Sequence, residues 1–165
     1  MANDQAIPSN LSPKILYLLR HSDAVNSADN DYNRKLSHLG KDKAHHFSTK
    51  FSAEFSFDLV LCSSANRTKE TLNLLELKQT EILFFDSLYL AEKEMLLAEI
   101  EKVPVRITNL LIIGHNNGLS ELASYITSES IYLSTCEFIE IGLEIESWKY
   151  ISSGIGILKR NIFPE

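Results

Sequence analysis

Three short clusters carry the side chains that could do chemistry. Arg20 stands beside His21, Arg67 closes the run Ser63-Ser64-Ala65-Asn66-Arg67, and His115 opens His115-Asn116-Asn117-Gly118. An arginine offers a fixed charge and a planar fork of donors that matches phosphate oxygens. A histidine can attack phosphorus or move protons near neutral pH. Together the three clusters have the composition of an anion pocket, with phosphate as the obvious anion. Singly, each has a plainer reading. Arg20 could mark a strand's exit to solvent, Arg67 could pair with Glu70 on a surface, and His115 could be a satisfied core histidine.

What joins the clusters is the kind of segment that precedes each one. "ILYLL" (15–19), "DLVLC" (58–62) and "LLIIG" (110–114) are short, apolar and bounded by polar residues, the pattern of fully buried strands. "EILFF" (81–85) is a further strand. Helical spacing places Ala44, Phe47, Phe51 and Phe55 on one stripe after a Ser37 cap, and gives Thr68, Thr71, Leu72 and Leu75 an inward face. The same spacing groups Leu96, Ile100 and Val103, and then Leu119, Leu122, Ala123 and Ile126. Over 138–145 the apolar residues alternate with Glu140, Gly142 and Glu144, which predicts a strand with one exposed face near a sheet edge. Strands alternating with helices imply an α/β fold: three layers, α/β/α, around a mainly parallel sheet with an antiparallel C-terminal edge. In such a sheet the three clusters fall at the carboxyl ends of the strands, the edge where ligands bind.

Composition sets the outer bounds. The 165 residues suggest a loosely ordered tail over 1–13 and a single domain over 14–165. With 16 basic against 22 acidic side chains, net −6, no nucleic-acid-binding surface is expected. Two cysteines, Cys62 and Cys136, do not indicate a disulfide framework, and Cys62 in "FDLVLCSS" is expected to be a buried thiol. The N-terminus lacks the charged and apolar regions of a signal peptide, and no run approaches membrane-spanning length. A cytoplasmic monomer with no membrane partner is the expectation. His38, His45 and His46 are expected at the surface, and Trp148 in the core. A metal site from His21, His115 and Asp23 is conceivable, but two arginines beside a dication would repel it, so no metal is expected.

The motifs also resemble a known family. "LYLLRHSDA" resembles the RHG signature of the histidine phosphatase superfamily, "SSANRTKETL" its S-x-x-x-R-x-x-x-T segment, and "LLIIGHNNGLSEL" its GH-N-P-x-L segment. "NRKLSHLGKDKA", "SLYLAEKEMLLAEI" and the ending "IESWKY" with "NIFP" are similar to segments of its SixA-type phosphohistidine phosphatases. The similarity runs in order from about Ile15 to Pro164. It implies a phosphoglycerate mutase-like fold and a phosphatase with no cofactor, acting on protein phosphohistidine or on a small phosphorylated molecule. A module that binds phosphate without turnover is the alternative. The resemblance implies His21 as nucleophile, Arg20 and Arg67 as phosphate ligands, and His115 as second catalytic histidine. Glu92 is the nearest candidate for a leaving-group acid, and Arg34 matches a lead-in arginine without an assigned role. Ser22, Lys35, Ser64 and Asn117 depart from the glycine or prolines of the pattern, which touches loop rigidity and substrate choice but removes no catalytic group.

Overall fold

Six strands form one sheet in the order β3-β2-β4-β1-β5-β6, in a computed structural model that describes residues 13–26 and 30–164. The strands are β1 (Lys14–Arg20), β2 (Leu59–Ser63), β3 (Glu81–Phe85), β4 (Asn109–Gly114), β5 (Phe138–Leu143) and β6 (Gly156–Ile162). Four helices connect them: α1 (His38–Glu54), α2 (Asn66–Leu74), α3 (Lys93–Glu101) and α4 (Gly118–Thr127). The tail expected over 1–13 lies, apart from Pro13, outside the described residues.

Strands β1, β2, β3 and β4 run parallel, while β5 pairs antiparallel with β1 and β6 antiparallel with β5. The apolar runs are continuous because both faces of the central strands are covered. Leu16, Leu18, Leu59, Leu61, Leu110 and Ile112 pack toward α3 and α4. Tyr17, Leu19, Val60, Cys62, Leu111 and Ile113 face the opposite way, toward Phe47 and Phe51 of α1 and Leu72 of α2. This is the three-layer architecture that the alternation of elements implies.

The strand over 138–145 differs from expectation in one respect. Glu140 and Gly142 are only half-buried, and Phe138 on the same parity is fully buried. The cause is α1, whose Phe47 and Phe51 rings lie 5.8 and 4.6 Å from that of Phe138. β5 lies next to the sheet edge, as expected, and β6 forms that edge.

Two local features bring the functional loops together. The Ser37 hydroxyl accepts from Gly40 N at 3.0 Å and starts α1, as its position in the sequence predicts. A side chain on Gly118 would meet the Ala91 carbonyl at 1.9 Å, so α4 can begin tight against the segment before α3 only because that residue has no Cβ.

The packing of α1 on the sheet should dominate stability. Phe51 is 1% exposed and touches four aromatic neighbours, whereas Phe84 on the edge strand β3 is 48% exposed. Phe51→Ala should cost about 3–5 kcal/mol in denaturant unfolding, and Phe84→Ala about 1 kcal/mol or less. Equal losses would mean that the aromatic cluster is not the keystone of that layer.

Candidate active site

Arg20 is the last residue of β1. His21 N donates to the Gly114 carbonyl at the end of β4. Ser22 N donates to the Thr71 hydroxyl at 3.0 Å, and the Ser22 hydroxyl donates to the Gly40 carbonyl at 2.8 Å. The Ser22 side chain, at the glycine position of the signature, thus adds a bond to α1 beside the bond that its backbone makes to α2. Arg67 lies in the first turn of α2, just beyond the end of β2, and His115 directly follows β4. The parallel register therefore delivers all four groups to one edge.

They converge there on a cleft of about 380 Å³ lined by Arg20, His21, Arg67 and His115 together with Asp31 and Asn116. His21, Arg67 and His115 are 9%, 2% and 3% exposed. The two imidazole rings are 5.1 Å apart between centroids. Arg67 Nε donates to His21 Nε2 at 3.2 Å. Arg20 holds the Leu133 carbonyl through one terminal nitrogen, at 2.9 Å. A larger groove of about 690 Å³ beside β6 is lined by both acidic and basic side chains but by no histidine, and the chemistry of the sequence does not point there.

The state of His21 follows from its surroundings. Its Nδ1 lies 2.7 Å from the Ser22 carbonyl, which can only accept, so Nδ1 carries the proton. In the neutral ring the lone pair is then on Nε2, facing the cleft and Arg67. Burial lowers the His21 pKa to about 4, with Arg67, Arg20 and Arg34 adding to the shift against the opposing Ser22 bond. Burial also lowers His115, to about 3, helped by His21 and Arg67. His115 Nε2 shares a 2.8 Å hydrogen bond with the Ser63 hydroxyl, and its buried Nδ1 has no partner. Both rings are neutral at physiological pH, and the arginines supply the positive charge.

The carboxylates around the cleft have a different character. Burial would raise Asp23, but bonds from Lys43 and Thr135 hold it below the ordinary value. Asp31 is held far below the carboxylate range by bonds from Tyr89 and Arg34 and by the charge of Arg67. Neither can donate a proton at neutral pH. Glu92 stands at the N-cap of α3, is exposed, and does not line the cleft. The structure thus gathers Arg20, His21, Arg67 and His115 but not Glu92. Arg34, unassigned in sequence, lines the cleft and binds Asp31 at 2.8 Å.

Asp31 and Tyr89 escaped the sequence reading. Asp31 sits in an Asn- and Asp-rich loop where nothing distinguishes it from its neighbours, and Tyr89 lies in a segment quoted only for its resemblance. No group of three or more His, Cys, Asp and Glu side chains arranged to hold a metal occurs among the described residues. Cys62 is fully buried, and burial pushes its thiol up to about 12, which excludes a thiolate nucleophile. Among the described residues no helix is long and apolar enough to cross a membrane.

No protein-family model matches the chain. An uncharacterized chloroplastic protein of Arabidopsis thaliana is 32% identical over 161 residues, covering 87% of this chain and 73% of that protein. Among solved structures, a candidate SixA phosphohistidine phosphatase of Nakamurella multipartitia superposes with a TM-score of 0.84 at 22% identity, over 93% of this chain and 97% of the other. A protein histidine phosphatase SixA complexed with tungstate gives 0.77 at 18% identity, over 91% and 97%. A candidate α-ribazole-5′-phosphate phosphatase of Escherichia coli gives 0.63 at 16% identity, over 90% and 95%. The chain belongs to one family with the Arabidopsis protein, and its fold is that of the SixA-type histidine phosphatase structures.

Proposed function

We propose that the protein is a metal-independent phosphatase that works through a phosphohistidine on His21, with protein phosphohistidine as its substrate. The observation that carries this reading is the state of His21. It is a buried neutral imidazole whose Nδ1 is fixed by the Ser22 carbonyl and whose Nε2 faces the arginine-lined cleft.

In the first step the Nε2 lone pair attacks phosphorus while the bond to the leaving group breaks, and the leaving group keeps that electron pair. Arg67 Nε, which donates to Nε2, transfers its hydrogen bond to a phosphoryl oxygen. Arg67, Arg20 and His115 stabilise the charge on the equatorial oxygens, the role that metal ions take in other phosphoryl transfers. In the second step water attacks the phosphohistidine, releases inorganic phosphate and restores neutral His21.

The choice of substrate rests on the leaving group. The cleft presents ionised Asp23 and Asp31, and Glu92 is turned away, so no carboxylic acid is in place to protonate an alkoxide. A phosphohistidine protonated on its far ring nitrogen expels a neutral imidazole without such help, because imidazolium is a far stronger acid than an alcohol. The likeness to SixA structures supports the same direction.

Rapid quenching during turnover of an aryl phosphate should trap label on His21 that is lost in acid and retained in base, and His21→Ala should abolish label and turnover together. Label on His115, or full activity in His21→Ala, would overturn the assignment. Turnover should survive EDTA; its loss with rescue by a divalent ion would revive a metal mechanism. In a substrate panel, phosphohistidine should be preferred to phosphoserine and sugar phosphates, and preference for a sugar phosphate would reassign the protein to small metabolites.

The neutral histidines also make stability depend on pH. Above pH 6.5 neither folded nor unfolded chain protonates them, and stability is full. Below 6.5 the unfolded chain binds protons that the fold refuses until about pH 4 for His21 and about pH 3 for His115. The melting temperature should fall as pH drops from 6.5 toward 4, and His115→Asn should flatten that fall. An unchanged slope in the variant would mean that His115 is charged in the fold.

A further inference from the structure

Arginine's planar fork has two usable edges, and in Arg67 they are committed to different partners. The end-on edge faces Asp31: Nη1 donates to the Asp31 main-chain carbonyl at 2.6 Å and Nη2 to its carboxylate at 3.0 Å. The side edge carries Nε, which points at His21 Nε2. Among the described residues, the Asp31 carboxylate bonds neither histidine. Its other partners are the Tyr89 hydroxyl at 2.6 Å, on the same oxygen as Arg67, and Arg34 at 2.8 Å on the second oxygen.

The Tyr89 ring reaches back to the centre. It meets the His115 ring edge-to-face at 5.5 Å, and the Arg67 guanidinium lies 5.8 Å from its centroid. Asp31 is therefore held by Tyr89 and Arg34 while it grips Arg67 from behind. Its own side chain is 44% exposed against 3% for that of Arg67, so it stands at the outer rim rather than between the arginine and the nucleophile.

We propose that Asp31 is a positioning residue, which clamps the far end of Arg67 so that the Nε edge is presented to the phosphoryl group at His21, with Tyr89 locking the clamp. The proposal rests on the phosphatase reading, and its physical content is geometric. A guanidinium on a freely rotating side chain must be ordered at each turnover, whereas one held end-on pays no such entropy. Tight retention of the side edge matters most in the transition state, where charge on the oxygens is greatest.

A double-mutant cycle tests this. Asp31→Ala should lower kcat on an aryl phosphate by about ten- to a hundredfold, with a smaller change in KM, while Asp31→Asn, which keeps an acceptor, should recover part of the loss. In an Arg67→Ala background, Asp31→Ala should change kcat by less than about twofold, because the clamp then has nothing to hold. The same four proteins titrated with inorganic phosphate should show weaker binding in Asp31→Ala only when Arg67 is present. That titration needs no turnover, so a wild type that binds phosphate but hydrolyses nothing would fail the phosphatase reading while the titration still decides the clamp. Equal losses in both backgrounds would overturn the clamp, since Asp31 would then act independently of Arg67. Tighter phosphate binding in Asp31→Ala would also overturn it, because Asp31 would then be a competitor for the anion site.

Discussion

The hydrogen bond between His21 Nδ1 and the Ser22 carbonyl decides which ring nitrogen can act, and much of the surrounding structure serves to keep it in place. The carbonyl belongs to the next residue, so the bond depends on how the chain is held as it leaves β1. The Ser22 bonds to Thr71 and Gly40 tie that segment to α2 and α1. Its placement depends in turn on β1 lying between β4 and β5, since His21 N pairs with Gly114 and Arg20 N with Glu137. A proton on Nδ1 is thus the local consequence of a sheet order.

The second constraint is electrical. Three arginines line a cleft whose two histidines are neutral, so the field favours an anion while leaving the Nε2 lone pair of His21 unprotonated. Burial does most of this, because it disfavours an imidazolium regardless of its neighbours. The arginines reinforce the shift, and Asp31 keeps Arg67 from becoming an uncompensated buried charge. An incoming phosphoryl group can therefore take the Arg67 Nε edge without displacing the Asp31 pair.

Much of this arrangement was legible in the residues. Continuous apolar runs identify β1, β2 and β4 because both faces of a central strand are buried, and the polar groups that follow each run must then share an edge. Helical stripes such as Leu119, Leu122, Ala123 and Ile126 were equally plain, since all four are fully buried. The edge parity was less so: Phe138 follows the polar alternation of β5, yet its burial depends on α1, a contact no local pattern encodes. Asp31 was invisible for a related reason. Its role comes from meeting Arg67, Tyr89 and Arg34, which are 36, 58 and 3 residues away, and only the last is local. Glu92 shows the opposite error, a carboxylate close in sequence to Tyr89 that the start of α3 turns outward.

The account depends on His21 being a neutral ring with its proton on Nδ1. Nitrogen NMR of the protein labelled at histidine measures this directly. The predicted result is a protonated Nδ1 and an unprotonated Nε2 on His21 from pH 7.5 down to about pH 5, with titration only near 4. A proton on Nε2, or an imidazolium forming with a midpoint near the ordinary 6.5, would contradict it.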